Sequence, residues 1–322
     1  MTDDDYNDDP VEEELVQFAE ELADAAGAVI LKYWRLPIEV VEKHEPGRPE
    51  PDSPVTVADR EAEAAMRALI EARYPAHGIY GEEHGEARVG ARFVWVLDPI
   101  DGTKSFVTGK PLFGTLIGLL RDGAPVLGVI DQCVTRERWV GANGRGCALN
   151  GARVRAASRA TGLGGALLYA TTPSMFAPGA EARRFARVAR KCKRAMYGCD
   201  CYAYALVASG FGADAVVEAD LGLYDYCALV PVLRAGGARV SDWEGRALTL
   251  ARFRANPAPA GTRGRVVAAA NDALWRALVA ELRDDSDGWR ARVADGARAL
   301  ALPSVALGAA LGAALALALA RR

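Results

Sequence analysis

The stretch Phe93-Val94-Trp95-Val96-Leu97-Asp98-Pro99-Ile100-Asp101-Gly102-Thr103 decides the reading of this chain. Its first five residues form a continuous apolar run, rich in β-branched and aromatic side chains and short enough for one buried strand. The run stops at Asp98. Asp101 follows across a turn stiffened by Pro99, and Gly102 lets the backbone approach an anion, its amides suited to a helix start or a phosphate nest. Thr103 adds a hydroxyl beside the two acids. Two Asp around a Pro also describe an ordinary turn. The chemical alternative is a magnesium site, because Mg²⁺ takes hard oxygen ligands and usually one or two carboxylates together with water and phosphate. Hydrolysis of a phosphate ester needs one cation to neutralise phosphoryl oxygens and a second to acidify water, so carboxylates should converge from several strand ends.

Working outward, Gly81-Glu82-Glu83 supplies two more acids after a strand end at Ile79-Tyr80, although exposed Glu pairs are common. Thr56-Val57-Ala58-Asp59 resembles a capping box with Asp in place of the usual Glu, opening a helix to about Tyr74. Asp225 opens another helix after Tyr224, a position where Asp mostly acts as an N-cap.

The rest of the chain reads as alternating elements. Residues 11–34 carry apolar side chains at helical spacing (Val11, Leu15, Phe18, Leu22, Ala26, Ile30) and predict one long amphipathic helix. The Pro- and charge-rich stretch 42–54 predicts a loop. Strands are predicted at 112–120, 126–131 and 138–142, with Asn143-Gly144 turning into 147–149. Further strands are expected at 166–170, 214–218, 239–242 and 265–270, and helices at 181–191, 202–209, 225–235 and 272–282. The result is a layered α/β protein in two halves, 11–150 with the metal site and 151–285 with substrate-side residues. An acidic disordered arm (1–10) precedes them, and a linker with an Ala/Leu-rich tail (286–322) follows.

Composition narrows the functional classes. The 322 residues are 51% hydrophobic, enough for one large core or two modest ones. Eight carboxylates lie within the first fourteen residues; removing them from the net charge of −3 leaves +5, too little excess for a nucleic-acid surface. The six cysteines (Cys133, Cys147, Cys192, Cys199, Cys201, Cys227) form no C-x-x-C pair, which argues against zinc or a disulfide framework and for a reducing compartment. His44, His77 and His84 read as structural, leaving Ser/His/Asp chemistry unsupported. No secretory signal or transit peptide is visible at the start. Residues 299–320 lack charge and contain Gly308-x-x-x-Gly312, a length able to span a bilayer. Their alanine content and Pro303 favour a solvated or docked helix over a tail anchor.

These motifs resemble the signature of the inositol-monophosphatase superfamily: Thr56-x-x-Asp59, Glu82-Glu83, Asp98-Pro99-Ile100-Asp101-Gly102-Thr103 and Tyr224-Asp225, in that order. The resemblance covers about residues 11–282. It implies an αβαβα sandwich of the inositol-monophosphatase/fructose-bisphosphatase kind, usually a homodimer, using two or three Mg²⁺. By the same resemblance, Glu82, Asp98 and the Ile100 carbonyl would bind one ion. Asp98, Asp101 and Asp225 would bind the second, and Glu82 would help hold a third. Asp101, Gly102 and Thr103 would meet the phosphate, while Thr103 paired with Asp59 would activate water for in-line attack.

For the ester, three stretches look like the plant-like histidinol-phosphate phosphatase branch. They are Lys104 to Thr115, Ile130-Asp131-Gln132 with Glu137 to Gly141, and Tyr197-Gly198-Cys199-Asp200-Cys201-Tyr202-Ala203-Tyr204. In that branch Gly198, Asp200 and Tyr202 line the substrate side, and Glu218 holds the substrate's polar end. A cationic imidazole or ammonium would suit Glu218 and Asp200. An inositol or sugar monophosphate is the alternative ester, because one metal core serves many. An inactive scaffold homologue would lack a metal carboxylate or the threonine, and none is missing. The branch implies a soluble enzyme of plastid stroma or cytoplasm.

Overall fold

The structure, a computed structural model, describes residues 9–44, 48–49, 52–255 and 264–283. Helix α1 (Glu13–Ile30) buries Leu15, Phe18, Leu22, Ala26 and Ile30, a single stripe at steps of three and four. Next, β1 (Val40–His44) pairs antiparallel with β2 (Asp52–Thr56) in a separate two-stranded sheet. The loop expected at 42–54 is therefore flanked by a ladder. Its pattern was not alternating because β1 is largely exposed, and Pro54 is tolerated since a two-stranded sheet consists only of edges. Helix α2 (Val57–Arg73) starts at the expected capping box and buries Ala58, Ala62, Met66 and Ile70 at a step of four.

The main sheet contains β3 (Gly78–Gly81), β4 (Gly85–Ala87), β5 (Phe93–Asp101), β6 (Gly114–Arg121), β7 (Ala124–Gln132), β8 (Glu137–Ala142), β9 (Gly146–Leu149) and β10 (Ala152–Val154), with short helix α3 (Thr103–Val107) after β5. Its order is β10-β9-β8-β7-β6-β5-β3-β4, antiparallel except for β3 beside β5. The second sheet contains β11 (Leu167–Ala170), β12 (Arg194–Tyr197), β13 (Ala215–Glu218), β14 (Arg239–Ser241) and β15 (Val266–Ala269), in the order β12-β11-β13-β15-β14. Helices α4 (Ala180–Lys191), α5 (Asp200–Ser209), α6 (Leu223–Tyr226), α7 (Leu229–Ala235), α8 (Leu250–Ala255) and α9 (Asp272–Arg283) complete the described elements.

Three apolar cores set the layers. Helices α1 and α2 cover one face of the main sheet, with Phe18, Leu22, Met66 and Ile70 against Trp95, Leu97 and Ile117. Helices α5, α6 and α7 lie between the sheets, where Val96, Leu116 and Trp139 meet Tyr204, Leu229 and Val216. Helices α4 and α9 cover the outer face of the second sheet through Phe185, Val188, Leu274 and Leu278. This is the expected αβαβα sandwich, and the described residues belong to one compact unit.

Two boundaries differ in ways that matter for the site. Strand β5 does not end at Asp98 but continues through Pro99 to Asp101, with its register against β6 shifting between the two aspartates. A bulge lets the ladder pass a residue without an N–H. The helix expected at 225–235 is two short helices, because Pro231 removes the amide that would bond the Cys227 carbonyl. The N-terminal arm also closes earlier than expected. The carbonyls of Asp9 and Pro10 accept hydrogen bonds from the Arg121 guanidinium at 2.6 and 3.2 Å. Residues 1–8 and the tail from 284 onward, with its proposed anchor at 299–320, lie outside the described residues; no described helix is long and apolar enough to cross a membrane.

Candidate active site

Asp98 and Asp101 stand at the end of β5, on the two sides of its bulge. Asp225 is the third residue of α6, and its carboxylate accepts the Gly222 amide at 2.5 Å. It does not open the helix as expected: Gly222 is the N-cap and Asp225, at the third helical position, caps it by accepting that residue's amide while facing the two strand-end aspartates. One carboxylate oxygen from each of Asp98, Asp101 and Asp225 lies within 4.8 Å of the others. Glu82 joins them from the turn after β3, where its N–H donates to the Leu97 carbonyl at 3.1 Å.

So many buried acids repel one another. Burial, and then neighbouring carboxylates, push Glu82 up to about 8 and raise Asp98 and Asp101 well above the usual range. Burial raises Asp225 to about 6, although the Gly222 amide and Arg48 oppose it. Asp98 is 1% exposed, and its Oδ1 has no hydrogen-bond partner among the described residues. A buried oxygen without a donor, inside a set of hard oxygen groups, fits a hard divalent cation such as Mg²⁺. Lys43 of β1 partly answers the charge, its ammonium pairing with Glu83 and standing 3.5 Å from Glu82 Oε1.

Asp59 and Thr103 meet beside this cluster. The capping box occupies Asp59 Oδ2 with the Thr56 amide (2.8 Å) and hydroxyl (2.5 Å). Oδ1 is left to Thr103 Oγ1, 3.3 Å away, and the same hydroxyl lies 2.9 Å from the Ile100 carbonyl. Burial pushes Asp59 up to about 6. Capping and proton acceptance are compatible here because each uses a different oxygen.

Glu82, Asp98, Ile100, Asp101, Gly102 and Thr103 line one cleft, which continues through Lys104, Thr171, Asp200 and Asp225 toward Glu218 and Tyr204. Gly102 has φ +86, and a Cβ there would stand 2.9 Å from Asp200 Oδ2. Asp200, at φ +44 in the first position of α5, accepts from Thr171 Oγ1 at 3.2 Å; burial raises it to about 6. Glu218 lines the cleft, but its oxygens are already engaged. Thr171 donates its amide and hydroxyl, each at 2.7 Å, and Tyr204 its hydroxyl at 2.8 Å. Burial pushes Glu218 up to about 7.

Tyr202 is placed elsewhere. Its hydroxyl donates to Glu137 at 2.7 Å and its ring packs edge-on against Trp139, so it is absent from the cleft lining. An aromatic at the third position of α5 points toward the main sheet, whereas Asp200 at the first faces the cleft. Gly198 acts through the backbone: at φ +82 it donates its amide to the Thr171 carbonyl at 2.9 Å and turns β12 into α5. Sequence reasoning missed Thr171, Lys43 and the Arg48–Asp220 pair (2.8 Å), and gave Tyr204 no role although it closes the stretch from Tyr197; their partners lie too far along the chain for any local pattern to link them. Lys104 alone was signalled, by adjacency to Thr103. His77 stacks on Tyr74 and accepts from Trp95 Nε1 at 3.2 Å, away from the cleft.

Residues 11–286 match the model of the inositol monophosphatase family. The chain belongs to the inositol monophosphatase family. Members of curated identity include the chloroplastic bifunctional phosphatase IMPL2 of Arabidopsis thaliana, 49% identical over 77% of this chain and 69% of that protein. A histidinol-phosphatase of Chlorobaculum parvum is 33% identical over 83% of this chain and 96% of its own length. Among solved structures, an inositol monophosphatase from Zymomonas mobilis superposes with a TM-score of 0.70 at 36% identity, covering 84% of this chain and 98% of that one. As an inositol monophosphatase family member, this protein is a phosphatase that hydrolyses phosphoric monoesters. The cleft gathers the buried carboxylates Asp98, Asp101 and Asp225, the Thr103–Asp59 hydroxyl–carboxylate pair and a polar chamber beyond.

Proposed function

We propose that this phosphatase converts histidinol phosphate to histidinol and phosphate, using Mg²⁺. The observation that carries the reading is the match to a histidinol-phosphatase across 96% of that protein's length. The chamber beyond the carboxylates supports it, since it is lined by Asp200 together with Glu218 and Asp220, an acidic surround that suits a substrate with a cationic end even though Glu218 already accepts from Thr171 and Tyr204 and Asp220 from Arg48. The solved inositol monophosphatase at 36% identity favours inositol phosphate as the competing ester.

Glu82, Asp98 and the Ile100 carbonyl would hold one Mg²⁺, and Asp98, Asp101 and Asp225 a second, with Glu82 shared toward a third. Bound there, Mg²⁺ supplies positive charge to the phosphoryl oxygens and acidifies water. The chain's own residues do the remainder. Thr103, donating to Asp59 Oδ1, keeps oxygen lone pairs with which to accept and orient a water. A proton leaving that water passes through Thr103 to Asp59, whose raised pKa of about 6 suits a base working near neutrality. Gly102 admits the phosphate without a side chain in the way. A homodimer and a plastid or cytoplasmic setting belong to the same proposal, the plastid supported by the chloroplastic relative.

The test is a comparison of kcat/KM for histidinol phosphate, inositol 1-phosphate, fructose 1,6-bisphosphate and 3′-phosphoadenosine 5′-phosphate. Histidinol phosphate should lead; faster turnover of inositol 1-phosphate overturns the substrate assignment.

A further inference from the structure

Glu63 lies on α2, one helical turn after Asp59, and is fully buried. An ionised carboxylate in such a place is costly unless every lone pair finds a donor. Its donors come from one place besides its own helix. Glu63 Oε2 accepts the Glu83 amide at 2.7 Å and Oε1 accepts the His84 amide at 3.1 Å. The Arg67 guanidinium, one turn further along α2, donates to Glu63 Oε1 at 2.7 Å and also to the Gly85 carbonyl. The His84 ring reaches the Arg60 carbonyl at 3.0 Å. Gly81 is glycine for the same reason, since a Cβ there would stand 1.9 Å from Glu63 Oε1. The turn between β3 and β4 is thus held from α2 through Glu63 and Arg67, in addition to the Glu82 N–H bond to the Leu97 carbonyl and the pairing of Lys43 with Glu83.

We propose that Glu63, held by Arg67, is the positioning residue for Glu82, and that α2 sets the spacing between Glu82 and Asp59. Asp59, Glu63 and Arg67 recur every four residues, which places them on one helix face about 6 Å apart per step. The rigid helix therefore carries the proton acceptor at one level and, one turn on, the anchor of a cation carboxylate. Carboxylates that hold a metal ligand in place act on affinity through that ligand. The inference rests on the proposed role of Glu82 in cation binding.

The experiment measures Mn²⁺ binding by loss of the free ion's EPR signal, in Glu63→Gln, Glu82→Gln and the double variant. Glu63→Gln keeps the volume but turns an amide NH₂ toward the Glu83 or His84 N–H, losing one bond. It should weaken Mn²⁺ binding by about 10- to 100-fold in the wild-type background and have little further effect once Glu82 is Gln. Unchanged binding in folded Glu63→Gln, or an equal loss in both backgrounds, overturns the inference. Should Glu63→Gln not fold, Arg67→Lys, which keeps the charge but not the fork, is read in the same cycle. Unchanged binding in Glu82→Gln would instead remove the role of Glu82 in cation binding, so the two failures are distinguishable.

Discussion

Thr103 Oγ1 stands 3.3 Å from Asp59 Oδ1 although 44 residues separate them, while the capping box uses the other oxygen, Oδ2. Asp59→Asn removes the proton acceptor while preserving one acceptor oxygen for the cap. It should lower kcat by about 10²- to 10⁴-fold, the usual worth of a general base, with a modest change in Tm. Thr103→Ser should keep much more activity than Thr103→Ala, since only the hydroxyl is needed. Equal rates for those two variants would show that the hydroxyl takes no part.

Asp98 is surrounded by Glu82, Asp101 and Asp225, and its Oδ1 lacks a hydrogen-bond partner among the described residues. Asp98→Asn relieves repulsion in the cation-free protein, so its Tm without Mg²⁺ should equal or exceed that of the wild type. Mg²⁺-dependent phosphate release should nonetheless be lost. Turnover near the wild-type rate would remove Asp98 from the metal set.

The same crowding makes stability depend on pH. Glu82 at about 8 and Asp225 at about 6 both lie above their unfolded values, so the folded state binds more protons between roughly pH 4 and pH 8. Their contribution is complete below the unfolded values and is lost as pH rises through the folded ones. The cation-free Tm should therefore fall from pH 5 to pH 8, and the gain on adding Mg²⁺ should grow over the same interval, because the ion binds deprotonated ligands. Thermal melts in chelator and in Mg²⁺ check this; a Mg²⁺ gain that is constant with pH contradicts it.

Gly102 combines φ +86 with an approach to Asp200 that leaves no room for a Cβ. Gly102→Ala should cost about 1–2 kcal/mol from the left-handed backbone alone, and displacement of Asp200 should add a loss in kcat/KM. A calorimetric melt indistinguishable from wild type would show that the loop relaxes freely.

Much of this architecture was legible in the sequence because its signals are local. The helical stripes of α1 and α2, the apolar run of β5 and the Thr56–Asp59 capping box each depend on residues within a few positions of one another. Where local pattern was weak, reading failed. β12 is a short edge strand with mostly exposed residues, β1 is almost wholly exposed, and β2 buries three consecutive residues, Pro54 to Thr56, rather than alternating ones. Pro99 and Pro231 marked breaks, but only the ladder and the helix axis show whether a chain bulges, as at Asp98–Asp101, or restarts, as at Ala228.

The sequence by itself determined which acids could serve a cation and in what order they occur, since carboxylate chemistry travels with residue type. It equally determined that Asp98, Asp101 and Thr103 share a strand end, because they are neighbours along the backbone. Tertiary structure alone decided that Glu218 is tied to Thr171 and Tyr204, that Tyr202 turns away to Glu137, and that Arg48 reaches Asp220 across 172 positions. Those contacts are selected by how three apolar cores close around two sheets. Burial then fixes which oxygens keep a donor and which, like Asp98 Oδ1, have none among the described residues and are open to the proposed cation.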